Sequence, residues 1–331
     1  VGREYRLSRD PGVRQEGNRR DAGVSTAVCG QIHGGRVPAG RVVAGIDVGE
    51  DYLDLALIDP VRRTLELSRV ALRGIDEAAA GAHRELGRRI GRAAPRLDRG
   101  AIAIIDSPRW PVDLDWSQSG VVRRADDVTG RAIDRSLQGL VKELRGAGAS
   151  KLKLSMFPTP RLDYFARQIA APGCKPHLRA FGRELFGPGG TDPGPPNGGT
   201  FTRFMLAGFA AYQALAIRRV TRYEGFPDLQ FRLWSGDEPL PSKMKKGMRQ
   251  ADRAAALAAR QRLVAELAAR LDVGGAAAVG TLDQADAAIL ALSLIAAESE
   301  DCGLVVEDPA EGRFWLTIPA AKARLIQLLD D

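Results

Sequence analysis

The chain has 331 residues, 44% of them hydrophobic, and a formal net charge of +7. That is enough apolar material for a full core in one or two domains, and no run approaches the ~20 apolar residues of a membrane-spanning helix. Cys29, Cys174 and Cys302 are odd in number and far apart, so no disulfide framework is indicated, and His33, His83 and His177 show no zinc-ligand spacing.

Residues 1–41 hold eight arginines against four acids in a Gly-rich stretch with little periodicity. A disordered basic tail is expected there, suited to a polyanionic partner or equally to plain solvation. No charged-then-apolar secretory pattern opens the chain, so a cytoplasmic location is expected. Residues 42–331 are expected to form a single decorated domain.

The most strand-like run, Val42 to Gly49, carries Asp47 near its end. A continuous apolar run reads as a buried central strand, so its carboxylate has to reach the sheet edge or find a partner. A second strand over Tyr52 to Asp59, a third around Thr64 to Val70 and a helix from about Ile75 to Ile90 follow. Ala101 to Asp106 then repeats the pattern of five apolar residues and one acid, stopped by Ser107-Pro108. A helical crossover makes the two acid-ended strands parallel and brings Asp47 and Asp106 to one edge, where open α/β sheets bind ligands.

Residues 107–200 read as an insertion over that edge. They contain Trp110, Trp116 and Arg123-Arg124, able to stack on bases and contact phosphates, or simply to build a packed subdomain with surface ion pairs. An apolar helix over Phe204 to Ile217 leads to a short strand, Val220 to Glu224, whose last residue is the third isolated acid. Lys243, Lys245, Lys246 and Arg249 follow a turn-rich loop and precede a helix from about Met248 to Leu271. Such lysines are either a solvated face or point charges for a substrate backbone.

Thr281 and Gln284 fit a capping box, which puts Asp283 and Asp286 on one face of the helix that follows. Asp283 complements the helix dipole, whereas Asp286 precedes an almost wholly apolar run. Leu304-Val305-Val306 and Phe314-Trp315-Leu316 predict a C-terminal hairpin, and Ala320 to Leu329 a final helix.

Several carboxylates gathered without cations are costly: two unit charges ~4 Å apart repel by roughly 4 kcal/mol at an effective dielectric near 20. Divalent metal removes that cost, and Mg²⁺ or Mn²⁺ suits an all-oxygen donor set. The expected ligands are Asp47, Asp106, Asp283 and Asp286, with Glu224 either binding metal or orienting water. Asp47, Asp106, Glu224 and Asp286 form the expected catalytic set.

The order strand-acid, hairpin, third strand, helix, strand-acid, helix, strand-acid, helix-acid resembles the ribonuclease H-like arrangement. More narrowly, the chain resembles domain-of-unknown-function family 429, a group of predicted nucleases. The pieces are Gly45-Ile46-Asp47-Val48-Gly49 with Leu53-Asp54, Ile105-Asp106-Ser107-Pro108, Arg131 to Arg135, Phe157 to Arg161, Glu224 to Pro227, Leu240 to Lys243 and Asp283 to Ala287. The match spans roughly residues 42 to 300, with Ile133 where a cysteine is usual and Gly225-Phe226 in place of the usual pair before the proline. The resemblance implies an α/β fold with a mixed five-stranded sheet flanked by helices. It also implies metal-dependent phosphodiester hydrolysis on DNA or RNA, with Lys243 and Arg131 toward the substrate. Two other readings stay open. One is a nucleotide-binding ATPase or kinase of the actin and sugar-kinase type, since Asp47-Val48-Gly49 resembles its first phosphate loop and Gly274-Gly275 is a candidate adenosine element. The other is a non-catalytic nucleic-acid-binding protein.

Overall fold

A computed structural model describes residues 31–77, 80–109, 132–146, 169–170, 173–186, 202–236, 238, 240–243, 249–299, 302–308 and 312–320. The strands are β1 (Gln31–Gly35), β2 (Val43–Val48), β3 (Tyr52–Asp59), β4 (Thr64–Ala71), β5 (Ile102–Asp106), β6 (Thr221–Glu224), β7 (Cys302–Asp308) and β8 (Gly312–Ile318). The helices are α1 (Ala82–Ala93), α2 (Ala132–Gly146), α3 (Pro176–Phe186), α4 (Thr202–Ile217), α5 (Pro227–Trp234), α6 (Gln250–Arg270) and α7 (Leu282–Ser299).

All eight strands form one mixed sheet in the order β1-β7-β8-β6-β5-β2-β3-β4. β2 is wholly buried and central, as its unbroken apolar run requires, with β5 parallel on one side and β3 antiparallel on the other. The α1 crossover makes β2 and β5 parallel and sets Asp47 directly opposite Asp106. β6 continues parallel to β5, and β4 runs antiparallel to β3.

Two expectations are corrected. The sheet has eight strands rather than five, because the C-terminal hairpin does not merely cover it: β8 pairs in parallel with β6 and carries β7 outward. Part of the basic tail is also ordered, since Gln31–Gly35 pairs antiparallel with β7 as the edge strand. An edge strand draws its order from backbone hydrogen bonds and needs little hydrophobic pattern of its own, so the composition of residues 1–41 concealed it. The helix expected over 320–329 lies outside the described residues except for Ala320.

The two most apolar helices lie directly on the sheet. α4 shares one core with α1, α3 and the Ala44, Ile46, Ala103 and Ile105 side of the strands. α7 shares the opposite core with α6 and the Val43, Ile102 and Ile104 side. Each is covered on its outer side by a second helix, which explains why neither shows an amphipathic stripe. A third, smaller core joins α2 and α5 to the β7–β8 hairpin.

Gly45 sets the approach of α7 to the sheet. A β-carbon there would overlap the Ala287 carbonyl oxygen and stand 2.7 Å from the Ala291 amide nitrogen. Backbone atoms in mid-helix cannot yield, so Gly45→Ala is expected to cost about 3 kcal/mol or more by displacing α7. Urea denaturation of the full chain measures it.

Candidate metal centre

Four residues in register form a row on the face of the sheet that carries α7. Asp47 pairs with Asp106 on β5 and with Asp54 on β3, and Asp54 pairs with Arg69 on β4. Cross-strand partners share a face, so the row presents one cation and three carboxylates side by side. Arg69 closes a fork on Asp54, with Nε donating to Oδ1 at 2.8 Å and Nη2 to Oδ2 at 2.7 Å. That charge-assisted pair accounts for an acid only 1% exposed in the middle of the row.

Glu224 does not join the row. On β6 it pairs with Ile105, one residue before Asp106, and successive strand residues face opposite ways. It therefore faces the α4 side with Arg222, whose guanidinium donates to the Tyr212 carbonyl of α4 at 2.7 Å. The Glu224 carboxylate accepts the Arg109 amide at 3.3 Å. The position level with Asp106 is Gly225, where a β-carbon would press on Leu290 at 3.0 Å as well as on Ile104. The nearer of the two is Ile104, whose Cγ2 would stand 2.2 Å from that β-carbon.

The start of α7 supplies the other acids. Thr281 Oγ1 accepts the Gln284 amide at 3.1 Å, and Gln284 Oε1 accepts the Gly280 amide at 2.8 Å. This is the expected capping box with its return bond shifted one residue outward. With the helix so anchored, Asp283 and Asp286 point at the row. Asp47, Asp106 and Asp286 each offer an oxygen within 4.8 Å of the others, and so do Asp47, Asp54 and Asp283. Asp47 belongs to both groups. Asp283 also accepts the Tyr52 hydroxyl at 3.0 Å, and Arg69 lies 3.8 Å over the Tyr52 ring.

This crowding shows in the acidities. Burial, then the neighbouring Asp106 carboxylate, holds Asp47 well above the ordinary aspartate range, while Lys243 opposes the shift. Burial pushes Asp106 up to about 6 against the pull of Lys243 and a hydrogen bond with Asp47. Both shifts have the direction expected of like charges sharing a dry site.

Lys243 pairs its ammonium with Asp286 Oδ2. The other oxygen of Asp286, Oδ1, is buried and makes no hydrogen bond among the described residues; it faces the buried Nε of Arg260 as an ion pair at 3.9 Å. Arg260 spends its remaining donors on Asp228 Oδ1 at 2.9 Å and the Pro241 carbonyl at 3.0 Å. It thereby ties α6 to α5 and to the loop that presents Lys243.

A cleft of about 740 Å³ opens over Asp47, Asp106 and Asp283. Arg131, Trp110, Trp116, Lys245 and Lys246 lie outside the described residues. Sequence reasoning passed over Asp54, Arg69 and Tyr52 as site residues. Their signal was present: counting back through the tight turn between β2 and β3 places Asp54 opposite Asp47, and an acid between Leu53 and Leu55 in a buried strand requires a partner. Comparison with family models, with curated proteins and with solved structures finds no match to this chain.

Proposed function

We propose that this protein is a divalent-metal-dependent nuclease built on a ribonuclease H-like core. The observation that carries the reading is the convergence of Asp47, Asp106 and Asp286 within 4.8 Å at the carboxyl edge of parallel strands. Its support in topology is the segment β4-β3-β2-β5-β6, in which β3 alone runs against the others, inside the larger sheet.

The donor set fits Mg²⁺ or Mn²⁺. All the donors are carboxylate oxygens, and Asp286 Oδ1, which makes no hydrogen bond among the described residues and faces only the Arg260 guanidinium at 3.9 Å, keeps lone pairs that a metal ion can engage. Asp47, Asp106 and Asp286 would hold one ion, with Asp283 and Asp54 beside Asp47 for another. When bound, such ions polarise a phosphodiester and lower the pKa of water. The chain's own part is to hold the acids together before metal arrives, through the capped start of α7 and the Arg69 fork. Lys243 neutralises part of the cluster meanwhile, and stands where an ammonium can contact a substrate phosphate.

The actin-type reading loses its adenosine element. Gly274 receives the Leu65 amide on its carbonyl at 2.8 Å and donates to the Arg63 carbonyl at 2.8 Å, which seals the outer edge of β4 instead of facing the cleft. The reading is tested by calorimetric titration with Mn²⁺ and by cleavage of DNA and RNA strands. Asp106→Asn is expected to lose metal binding, whereas Glu224→Gln, on the other face, keeps binding and cleavage within about threefold, the behaviour of a group that makes no differential transition-state contact. Unchanged Mn²⁺ affinity in Asp106→Asn would remove the assignment.

A further inference from the structure

The cleft is not an acidic trench. Its lining also includes Phe204 of α4, Phe226 after β6, Leu257 of α6 and Leu282 of α7. All four are only partly buried. Lys243 and Arg253 add positive charge to the same lining. A carboxylate centre, apolar side chains with two phenylalanines among them, and three cations, Arg69 included, therefore share one concavity. Its volume lies within the range of about 300–1,000 Å³ typical of sites that enclose one small ligand. The aromatic wall has no use for an ion or a bare phosphate, and a duplex keeps its bases stacked inside where no wall can reach them. An unpaired nucleotide answers every part of the lining: a flat apolar base, a phosphate for Lys243 and Arg253, and a scissile group beside the acids.

We propose that the cleft seats the base of one unpaired nucleotide against Phe204 and Phe226 with its phosphate over Asp47 and Asp106, so that the substrate is single-stranded nucleic acid. This rests on the nuclease reading and adds the substrate class. Stacking uses the face every base has, so the two phenylalanines make the seat sequence-tolerant.

The test measures binding and cleavage apart. Full-length protein in Ca²⁺ is titrated with a labelled short single strand, the same sequence as a blunt duplex, and a strand of equal length made of abasic units. The base-carrying strand is expected to bind about tenfold or more tighter than either, within what base–aromatic stacking contributes. Phe204→Ala with Phe226→Ala is expected to bring it down to the abasic level. Equal affinity for the abasic and base-carrying strands, or a preference for duplex, overturns the proposal, and this comparison needs no variant to fold. Cleavage in Mn²⁺ is followed separately. Cleavage without base-dependent binding overturns the seat and leaves the nuclease; base-dependent binding without cleavage upholds the seat as a nucleotide site and overturns the nuclease.

Discussion

Asp47→Asn is expected to lower Mn²⁺-dependent cleavage by about a hundred- to a thousandfold or more, the scale on which a single charge-stabilising group at a reaction centre acts. Asp47 is the one acid common to both carboxylate groups, so its loss weakens both at once. Asp286→Asn touches only the first group and leaves Lys243 with a poorer partner, so its defect combines lost metal binding with a displaced loop. The decisive companion measurement is stability. In metal-free protein the Asp47→Asn chain should melt higher than the unaltered one, because a neutral amide replaces a carboxyl whose charged form is opposed by burial and by Asp106. A residue that merely supported the fold would show the opposite sign. Full cleavage by a clean Asp47→Asn preparation would sink the two-site reading.

The second large effect is a pH and metal dependence of stability. Asp106 is pushed up to about 6 in the folded chain. A carboxyl that holds its proton more tightly when folded stabilises fully below its unfolded value, about 4, and that contribution is lost as pH rises through 6. His83 and His177 act the other way near the same window, since burial lowers both and their stabilisation fades as pH falls through about 6.5. The carboxylate contribution is therefore read as the difference between the unaltered protein and Asp106→Asn, which share the histidines. Without metal, Asp106→Asn is expected to be the more stable by on the order of 2 kcal/mol at pH 7.5, with the gap closing toward pH 4.5. Lys243→Met should widen the gap, having removed the cation that opposes both shifts. Saturating Mg²⁺ at about a hundred times its Kd should add about 2.7 kcal/mol to the unaltered protein and little to Asp106→Asn. Denaturant melts at several pH values, with EDTA or Mg²⁺, give all of these differences. A gap that does not change with pH would mean that Asp106 titrates normally.

The chain settles much of this by itself. β2, β3, β4 and β5 follow from apolar runs and alternation, the existence of the α1 crossover from its period, though it begins at Ala82 rather than near Ile75, and the start of α7 from a capping box, because each depends mainly on local preferences. Asp47, Asp106 and Asp286 stood out for the same reason: a lone acid beside a long apolar run is locally inconsistent unless something elsewhere answers it. Register was decided only by the tertiary structure. Shifting by one residue turns a strand side chain to the other face, and nothing within Thr221 to Glu224 says whether Glu224 or Gly225 lies level with Asp106. The side chains that crowd Gly225, Ile104 of β5 and Leu290 of α7, come from segments far away in the chain. The same holds for Asp54 and Arg69, whose pairing needs two strands aligned, and for the joining of the C-terminal hairpin to β6, which rests on one parallel partner pair, Glu224 and Phe314. Residue type and period report what each segment needs to bury. Which distant segment meets that need depends on how the helices lie across the sheet.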